Sequence, residues 1–156
     1  MFARQAQPGE SRELREWIVA RHYLQSAPPG YRVALEFLDG DRNRIGAMLL
    51  GRPTSRKYDE RCWLELTRMF FIDEAPPNTE SRALAMMRRW VRRWMPEVRA
   101  LIAYSDPAAG HTGTVYRADN WAPFGFTTRT YAGWRTRPGR RQAEEATPKA
   151  RWIRTP

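Results

Sequence analysis

The chain has 156 residues, the length of one domain, and its 42% hydrophobic and 28% charged residues are typical of a globular protein with a real core. No apolar run reaches the roughly 18 residues of a membrane span, and residues 1–8 lack the apolar stretch of a signal peptide. One cysteine and two histidines exclude a disulfide framework, a cysteine-based zinc cluster and a histidine-rich metal site. We therefore expect a cytoplasmic protein with no membrane partner.

Positive charge is the first indication of function. The formal net charge is +10, and of the 27 basic residues only Lys57 and Lys149 are lysines. Arginine makes bidentate contacts with phosphate, and an excess of positive charge favours a polyanionic partner. A GC-rich genome would explain the preference for arginine over lysine equally well, but it does not explain the excess of positive charge. We therefore expect the protein to bind nucleic acid.

The apolar pattern predicts an α+β chain with one mixed, mostly antiparallel central sheet flanked by helices. In chain order the expected elements are a helix (11–22), two strands joined by a hairpin (31–37 and 44–50), a central strand (62–72), a helix (80–95), a strand (100–104), a short helix (113–118) and a final antiparallel pair (121–126 and 127–134). Residues 1–9 are expected to be a loose end. Residues 135–156 are expected to form a basic tail, flexible or ordered by a partner, outside a catalytic domain of residues 1–134.

The helix at 80–95 is predicted to have two different sides. Its N-cap is expected at Asn78 or Thr79, and the junction with the central strand is a natural anion site, because helix N-termini present unpaired amides. The side expected to face the core carries Ala83, Leu84, Met87, Trp90, Val91 and Trp94. The outer side carries four arginines that we predict to bind nucleic acid: Arg88, Arg89, Arg92 and Arg93.

Five side chains are suited to chemistry, and each also has a purely structural interpretation. Asp106, at the end of a buried strand, can orient or deprotonate an amine, or it can cap the next turn. Tyr116 can donate a proton to a leaving oxygen or pack in the core. His22 and Tyr23 can close over a base or pack as an aromatic pair. His111, on a glycine-flanked loop, can contact a donor or DNA, or simply be exposed.

Two segments carry a resemblance to a known family. The segments are WLELTRMFFIDEAPPNTESRAL (63–84) and LIAYSDPAAGHTGTVYRADNWAPFGFT (101–127), which resemble the Mom family of phage DNA-modification enzymes. The order of elements resembles the GNAT acyltransferase fold, and the resemblance covers roughly residues 20–134. It implies a phage or prophage enzyme, acting in the bacterial host, that converts the 6-amino group of adenine in DNA into a carbamoylmethylamino group. This mark shields phage DNA from host restriction enzymes.

The resemblance also implies roles for individual residues. The implied catalytic residues are His22, Tyr23, Asp106 and Tyr116, and the implied donor-binding residues are Arg68, Ser81 and Arg82. From their own chemistry and position, we expect Asn78, Ser105 and His111 to bind the donor as well. Residues 78–82 lack the glycines of the usual GNAT pyrophosphate loop, which argues against ordinary coenzyme A binding. The resemblance leaves open an iron site formed by the four catalytic residues, although nothing in their spacing requires a metal.

The chemistry of the product restricts the donor. The 6-amino group of adenine is a poor nucleophile buried in the duplex, so the base must be extruded or presented on a single strand. Glycyl-tRNA and acetyl-CoA are the two candidate donors, and a glycyl group could reach the product by transfer followed by rearrangement. The expected partners are DNA and, with the first donor, tRNA, while a homodimer is left open. Two alternatives remain: an acetyl-CoA-dependent N-acetyltransferase of a small molecule or protein, and a non-catalytic nucleic-acid-binding module.

Overall fold

A computed structural model describes residues 1–27, 30–127 and 147–156, which form a seven-stranded sheet with helices on both faces. The strands are β1 (Phe2–Gln5), β2 (Val33–Leu38), β3 (Arg44–Gly51), β4 (Trp63–Phe71), β5 (Ala100–Ser105), β6 (Ala122–Phe126) and β7 (Ala150–Arg154). The helices are α1 (Pro8–Arg21), α2 (Thr79–Trp94) and α3 (Thr114–Ala118), and a 3₁₀ turn spans Pro107–Ala109. The strand order is β1-β2-β3-β4-β5-β7-β6, and the β4–β5 pair alone among these neighbours is parallel. The predicted α+β class is confirmed.

Two apolar layers hold the helices to the sheet. Helix α1 buries Leu14 and Ile18 on one face, and α2 packs Leu84 and Met87 against the other. Strands β2 and β3 contribute side chains to both layers, so almost all of their residues are buried. Each fully buried leucine or methionine contributes about 1.5–3 kcal/mol of transfer free energy. Within the described ranges, no helix has the length and apolar character needed to cross a membrane.

Helix α2 follows the predicted amphipathic pattern with two exceptions. Ala83, Leu84, Met87 and Val91 are buried and Trp90 packs partly against them, as expected. The prediction is wrong for Trp94, which is 61% exposed at the end of the helix, with the Arg93 guanidinium 5.1 Å from its ring centroid. It is also wrong for Arg88 as an outer residue, because the Arg88 side chain reaches a buried carboxylate on the loop after α3.

The N-terminal residues are part of the fold, so the predicted loose end is wrong. Strand β1 pairs antiparallel with β2, and α1 begins at Pro8, three residues before the predicted start. Arg4 on β1 forms ion pairs with Glu10 at 2.9 Å and with the buried Glu36 at 2.7 Å. These charged contacts fix an edge strand whose own side chains are mostly exposed.

The C-terminal residues correct a second prediction. Strand β7 lies between β5 and β6 and pairs antiparallel with both, so residues 150–154 belong to the sheet and not to a tail. Trp152 is buried there, and its indole nitrogen donates a hydrogen bond to the Ser105 hydroxyl at 2.9 Å. Among the described residues, the strand that pairs with β6 is β7, where the sequence predicted residues 127–134. Residues 128–146, which include most of that predicted strand and part of the predicted tail, lie outside the described residues.

Candidate functional site

A cleft opens in the middle of the sheet because the two parallel strands separate. Pairing between β4 and β5 extends from Trp63 and Ala100 only as far as Leu66 and Ala103, although both strands continue. At the same point the register between β3 and β4 shifts, which leaves Thr67 as an extra residue on β4. Bulges of this kind bend a strand away from its neighbour and are over-represented next to active sites.

The cleft leads to a cavity of about 490 Å³, a volume suited to a small ligand. Its wall combines the end of α1, the separated parts of β4 and β5, the loop leading into α3, and the residue before β7. Seven of the residues singled out from the sequence line it: His22, Tyr23, Arg68, Ser105, Asp106, His111 and Tyr116. Side chains from distant parts of the chain therefore meet in one cavity, including all four of the predicted catalytic residues.

Asp106 is a carboxylate whose hydrogen-bonding capacity is largely used. Its Oδ1 accepts hydrogen bonds from the Ala108 amide and the Thr147 hydroxyl, both at 3.1 Å, and its Oδ2 forms an ion pair with Lys149. Burial alone would raise the pKa of Asp106, but the hydrogen bonds from Lys149 and Thr147 lower it below its ordinary value. A carboxylate with a lowered pKa is a weak base, so this geometry suits orientation of a substrate better than removal of a proton.

Glu65, on the β4 wall of the cavity, is a second carboxyl group, and its pKa is shifted in the opposite direction to that of Asp106. It is 5% exposed, and it accepts hydrogen bonds from the Thr54 amide at 2.6 Å and the Thr54 hydroxyl at 3.2 Å. Burial raises the pKa of Glu65 above its ordinary value, and the contacts with Thr54 and the charge of Arg68 only partly oppose this effect. Two carboxyl groups with pKa values shifted in opposite directions are typical of sites that separate acid and base roles.

Two tyrosines on the wall remain protonated over the physiological pH range. Burial raises the pKa of Tyr104, on β5, and of Tyr116, on α3. Tyr116 is held by aromatic contacts, with ring centroids 5.4 Å from Trp121 and 5.9 Å from Trp152. The two phenols can therefore donate hydrogen bonds into the cavity without ionising.

An aromatic stack stands at one side of the cavity. The Tyr23 ring lies between His22 and His111, with centroid separations of 4.6 Å and 4.5 Å, and Tyr23 remains 48% exposed. Burial, together with the nearby charges of Arg68 and His111, lowers the pKa of His22 to about 4. The His22 Nδ1 accepts a hydrogen bond from the Leu24 amide at 3.2 Å, so the imidazole is neutral and fixed in orientation. The stack joins the end of α1 to the loop that precedes α3.

Arg68 is hydrogen-bonded to backbone carbonyls of two segments. Its Nε donates to the Ser26 carbonyl at 2.6 Å, and its Nη1 donates to the Thr67 carbonyl at 2.5 Å. These bonds connect β4 to the segment that follows His22 and Tyr23. Arg68 therefore holds that segment against the cavity, in addition to lining it.

The predicted anion site at the start of α2 does not belong to this cavity. Asn78 has a left-handed backbone with φ 63° and makes no side-chain capping bond, and the Ser81 hydroxyl donates back to the Asn78 carbonyl at 3.1 Å. Arg82 is exposed. The first turn of a helix leaves backbone amides without intrahelical partners, so this end can still attract an anion. Donor binding by Asn78, Ser81 and Arg82 stays a prediction.

The four arginines predicted to bind nucleic acid differ in environment. Arg88 has a side chain only 14% exposed, and it makes a bidentate ion pair with Asp119 in which both hydrogen bonds measure 2.8 Å. Arg92 is exposed and donates to the Pro156 carbonyl, while Arg89 and Arg93 are also exposed. Arg88 is thus a structural residue, and nucleic-acid binding by the other three stays a prediction.

The cavity residues do not fit an iron ion. Among the described residues, no group of three or more histidine, cysteine, aspartate or glutamate side chains is arranged to hold a metal. Both oxygens of Asp106 already accept bonds, and the ammonium group of Lys149 would repel a second cation at this carboxylate. Protonated tyrosines with raised pKa values are also poor ligands for a cation.

Three of the cavity-wall residues that sequence reasoning missed are chemically important: Glu65, Tyr104 and Lys149. Glu65 is a lone acidic residue inside the apolar run of β4, and that isolation is a signal that could have identified it. The sequence predicts Tyr104 only as the last residue of its strand. Lys149 lies just before β7, and no local pattern places it beside Asp106, because the contact joins residues 43 positions apart.

Comparisons with known proteins agree on family and fold. The model of the Mom protein family matches residues 7–153. The methylcarbamoylase Mom of Escherichia phage Mu is 33% identical over 81 residues, which cover 52% of this chain and 34% of the phage Mu protein. The match thus spans about a third of that relative.

Solved structures extend the comparison to the fold. The aminoglycoside acetyltransferase AAC(6')-Ib in complex with coenzyme A and kanamycin aligns with a TM-score of 0.66 at 9% identity, covering 99% of this chain and 94% of that one. Spermidine N-acetyltransferase SpeG from Vibrio cholerae aligns with a TM-score of 0.65 at 8% identity, covering 98% and 94%. These alignments confirm the expected GNAT acyltransferase fold.

Proposed function

Because the chain belongs to the Mom protein family, we propose that it is a transferase that converts the 6-amino group of adenine in DNA to a carbamoylmethylamino group. The proposed enzyme acts on phage DNA in the bacterial cytoplasm and protects that DNA from restriction. The observation that carries the proposal is the single cavity lined by His22, Tyr23, Asp106 and Tyr116. The family resemblance implies a catalytic role for the same four residues.

The substrate enters the cavity as an extruded base. An enzyme that acts on the amino group of adenine cannot reach it inside a duplex, so it flips the nucleotide or takes a single strand. A cavity of about 490 Å³ is large enough for a purine and the end of a donor. The exposed face of Tyr23, fixed between two imidazoles, offers a surface on which the base can stack.

The wall residues divide the proton transfers between them. Glu65, whose pKa burial raises, is the base that accepts a proton from the adenine amine as it attacks. Asp106, held ionised by Lys149, orients the amine through its remaining acceptor capacity. Tyr116, protonated and rigidly packed, donates a proton to the oxygen of the leaving group.

A glycyl ester accounts for every atom of the product. The adenine nitrogen attacks the ester carbonyl and forms a glycyl amide, while the ester oxygen leaves as an alcohol with the proton from Tyr116. The free glycyl amine then attacks the ring carbon that bears the amide and displaces the amide nitrogen. The result is an isomer in which the methylene is bound to the adenine nitrogen and the carbonyl ends as a carboxamide. No oxidant or reductant is consumed. Glycyl-tRNA is an ester of this class, and the net charge of +10 supports a polyanionic donor.

Mass spectrometry of nucleosides tests the proposal. DNA from cells that express the protein should contain a deoxyadenosine heavier by one glycyl residue, and fragmentation should distinguish the carbamoylmethyl product from its glycyl-amide isomer. Purified protein should transfer the group from glycyl-tRNA and not from acetyl-CoA. Unmodified deoxyadenosine from cells with abundant folded protein would refute the proposal, and acetyl transfer to a polyamine or protein would favour an ordinary N-acetyltransferase.

The base assignment has its own experiment. Replacing Glu65→Gln keeps the size of the side chain and removes the proton acceptor. The glutamine oxygen can still accept from the Thr54 amide, and its NH₂ group can donate to the Thr54 hydroxyl. We expect the rate to fall about 10²- to 10⁴-fold and the acidic limb of the pH–rate profile to disappear. A profile of unchanged shape would exclude Glu65 as the base, even if the overall rate dropped.

A further inference from the structure

Three side chains form a row that leads from the cavity to the edge of the sheet. Tyr104 on β5 is in register with Arg151 on β7, so the two side chains lie on the same face. The Arg151 guanidinium lies 5.3 Å from the ring centroid of Phe124 on β6, the next strand. Tyr104 lines the cavity, and Phe124, at the other end, is 44% exposed. We call Tyr104, Arg151 and Phe124 the aromatic row.

Helix α1 does not cover the aromatic row. It packs against β2, β3 and β4, and its apolar layer contains no residue of β5, β6 or β7 among the described residues. Helices α2 and α3 lie on the opposite face, where Trp152 of β7 is buried. Arg151 is held in place by the Tyr58 hydroxyl, which accepts a hydrogen bond from its Nη1 at 3.4 Å.

The chemistry of the aromatic row matches a nucleic acid strand. Proteins that bind single strands combine aromatic rings, on which bases stack, with arginines that attract the phosphates. Neighbouring strands of a sheet lie about 4.8 Å apart, so the row spans roughly 10 Å from Tyr104 to Phe124. This distance accommodates one or two nucleotides beside the base in the cavity.

We infer that the aromatic row binds the single-stranded DNA segment next to the adenine that enters the cavity. The inference rests on the proposed function, since it takes the cavity as the place of the base. It assigns Phe124 and Arg151 to DNA binding, which neither the family resemblance nor the arginines of α2 had indicated. Phe124 stacks on a flanking base, and Arg151 contacts the phosphate between the two nucleotides.

The protein contains a natural control for this inference. Trp94 on α2 is also an exposed aromatic residue with an arginine against its ring, at 5.1 Å, but it does not line the cavity. If exposed aromatic–arginine pairs in general were enough to bind DNA, Trp94 would contribute as much as Phe124. If continuity with the cavity is what matters, only Phe124 contributes.

We propose to measure binding by fluorescence anisotropy with a labelled single-stranded oligonucleotide that contains adenine. This measurement shows whether Phe124 alone contributes to binding or Trp94 contributes as much. We expect Phe124→Ala and Phe124→Leu to raise Kd about 5- to 100-fold, the range for loss of one stacked base, and Phe124→Tyr to bind like the wild type. Trp94→Ala should change Kd less than twofold. Thermal melts of each variant confirm folding, and Phe124→Leu retains the apolar bulk if Phe124→Ala is unstable.

The inference is overturned if Phe124→Leu binds like the wild type, if Trp94→Ala weakens binding as much as Phe124→Ala, or if the wild type binds only duplex DNA. Because anisotropy measures binding and not modification, the result is independent of whether the adenine mark forms. A wild type that binds single strands through Phe124 but leaves deoxyadenosine unmodified would refute the proposed function and leave the DNA-binding surface in place.

Discussion

Gly113, at the start of α3, is a position where a single methyl group should test how tightly the C-terminal strand is packed against the cavity. Its φ is +80°, and a Cβ added there would lie 2.2 Å from the Cζ2 atom of Trp152. Trp152 cannot easily move, since it is 3% exposed and its indole nitrogen is hydrogen-bonded to Ser105. The left-handed backbone costs a non-glycine residue about 1–2 kcal/mol, and overpacking adds about 1–3 kcal/mol. We therefore expect Gly113→Ala to destabilise the protein by about 2–5 kcal/mol.

Gly110 supplies the matched control. Its φ is +81°, almost the same as that of Gly113, but a Cβ added there meets no atom within 4 Å. Gly110→Ala should therefore lower the free energy of unfolding only by the backbone contribution of about 1–2 kcal/mol. Urea unfolding followed by far-UV circular dichroism measures both variants, and the midpoint should fall at constant m-value. Equal losses for the two variants would refute the packing of β7 against α3.

Further predictions concern the cavity. On the proposed function, Asp106→Ala should lower the rate of adenine modification at least about 10²-fold while DNA binding persists, as nucleoside mass spectrometry and anisotropy would show. The hydrogen bond from Lys149 lowers the pKa of Asp106, so this pair stabilises the folded state above the ordinary carboxyl pKa and loses that effect on acidification. The urea midpoint of Lys149→Met should therefore lie below that of the wild type at neutral pH. The difference between the two midpoints should decrease below about pH 4. The pKa of His22 is about 4 in the folded protein, below its ordinary value of 6.5, so on acidification the imidazole is protonated in the unfolded chain before it is protonated in the folded one. The free energy of unfolding of the wild type should therefore fall as the pH is lowered from about 6.5 to about 4, and that of His22→Phe should fall less. Arg68→Met should free the segment after α1, and limited trypsin digestion should cleave faster after Arg21.

The elements with strong local patterns could be predicted from the sequence. The apolar alternation of β2, the apolar run of β4 and the amphipathic spacing of α2 each place their residues in the core without information from elsewhere in the chain. The parts that were wrong depend on distant partners. Strand β1 is fixed by the ion pair between Arg4 and Glu36, and β7 is buried because β5 and β6 enclose it.

In the candidate site, too, local motifs could be identified from the sequence, whereas contacts between distant residues could not. The family motifs indicated His22, Tyr23, Asp106 and Tyr116, and the structure brings all four to one cavity. The motifs could not indicate that Asp106 is paired with Lys149, because no spacing rule connects residues that meet only when β7 enters the sheet. Arg88 looked like a surface charge for the same reason, since its buried partner Asp119 lies 31 positions further along the chain.

The position of β7 also affects when the cavity can form during translation. Residues 150–154 separate β5 from β6, so a ribosome-bound chain that has not yet released them has an incomplete sheet and lacks Lys149 beside Asp106. Late closure by a distant segment is the kind of long-range contact that slows folding. On the proposed function, a chain without residues 147–154 would therefore have an incomplete cavity and be inactive, and its exposed strand edges would make it a substrate for proteases and chaperones.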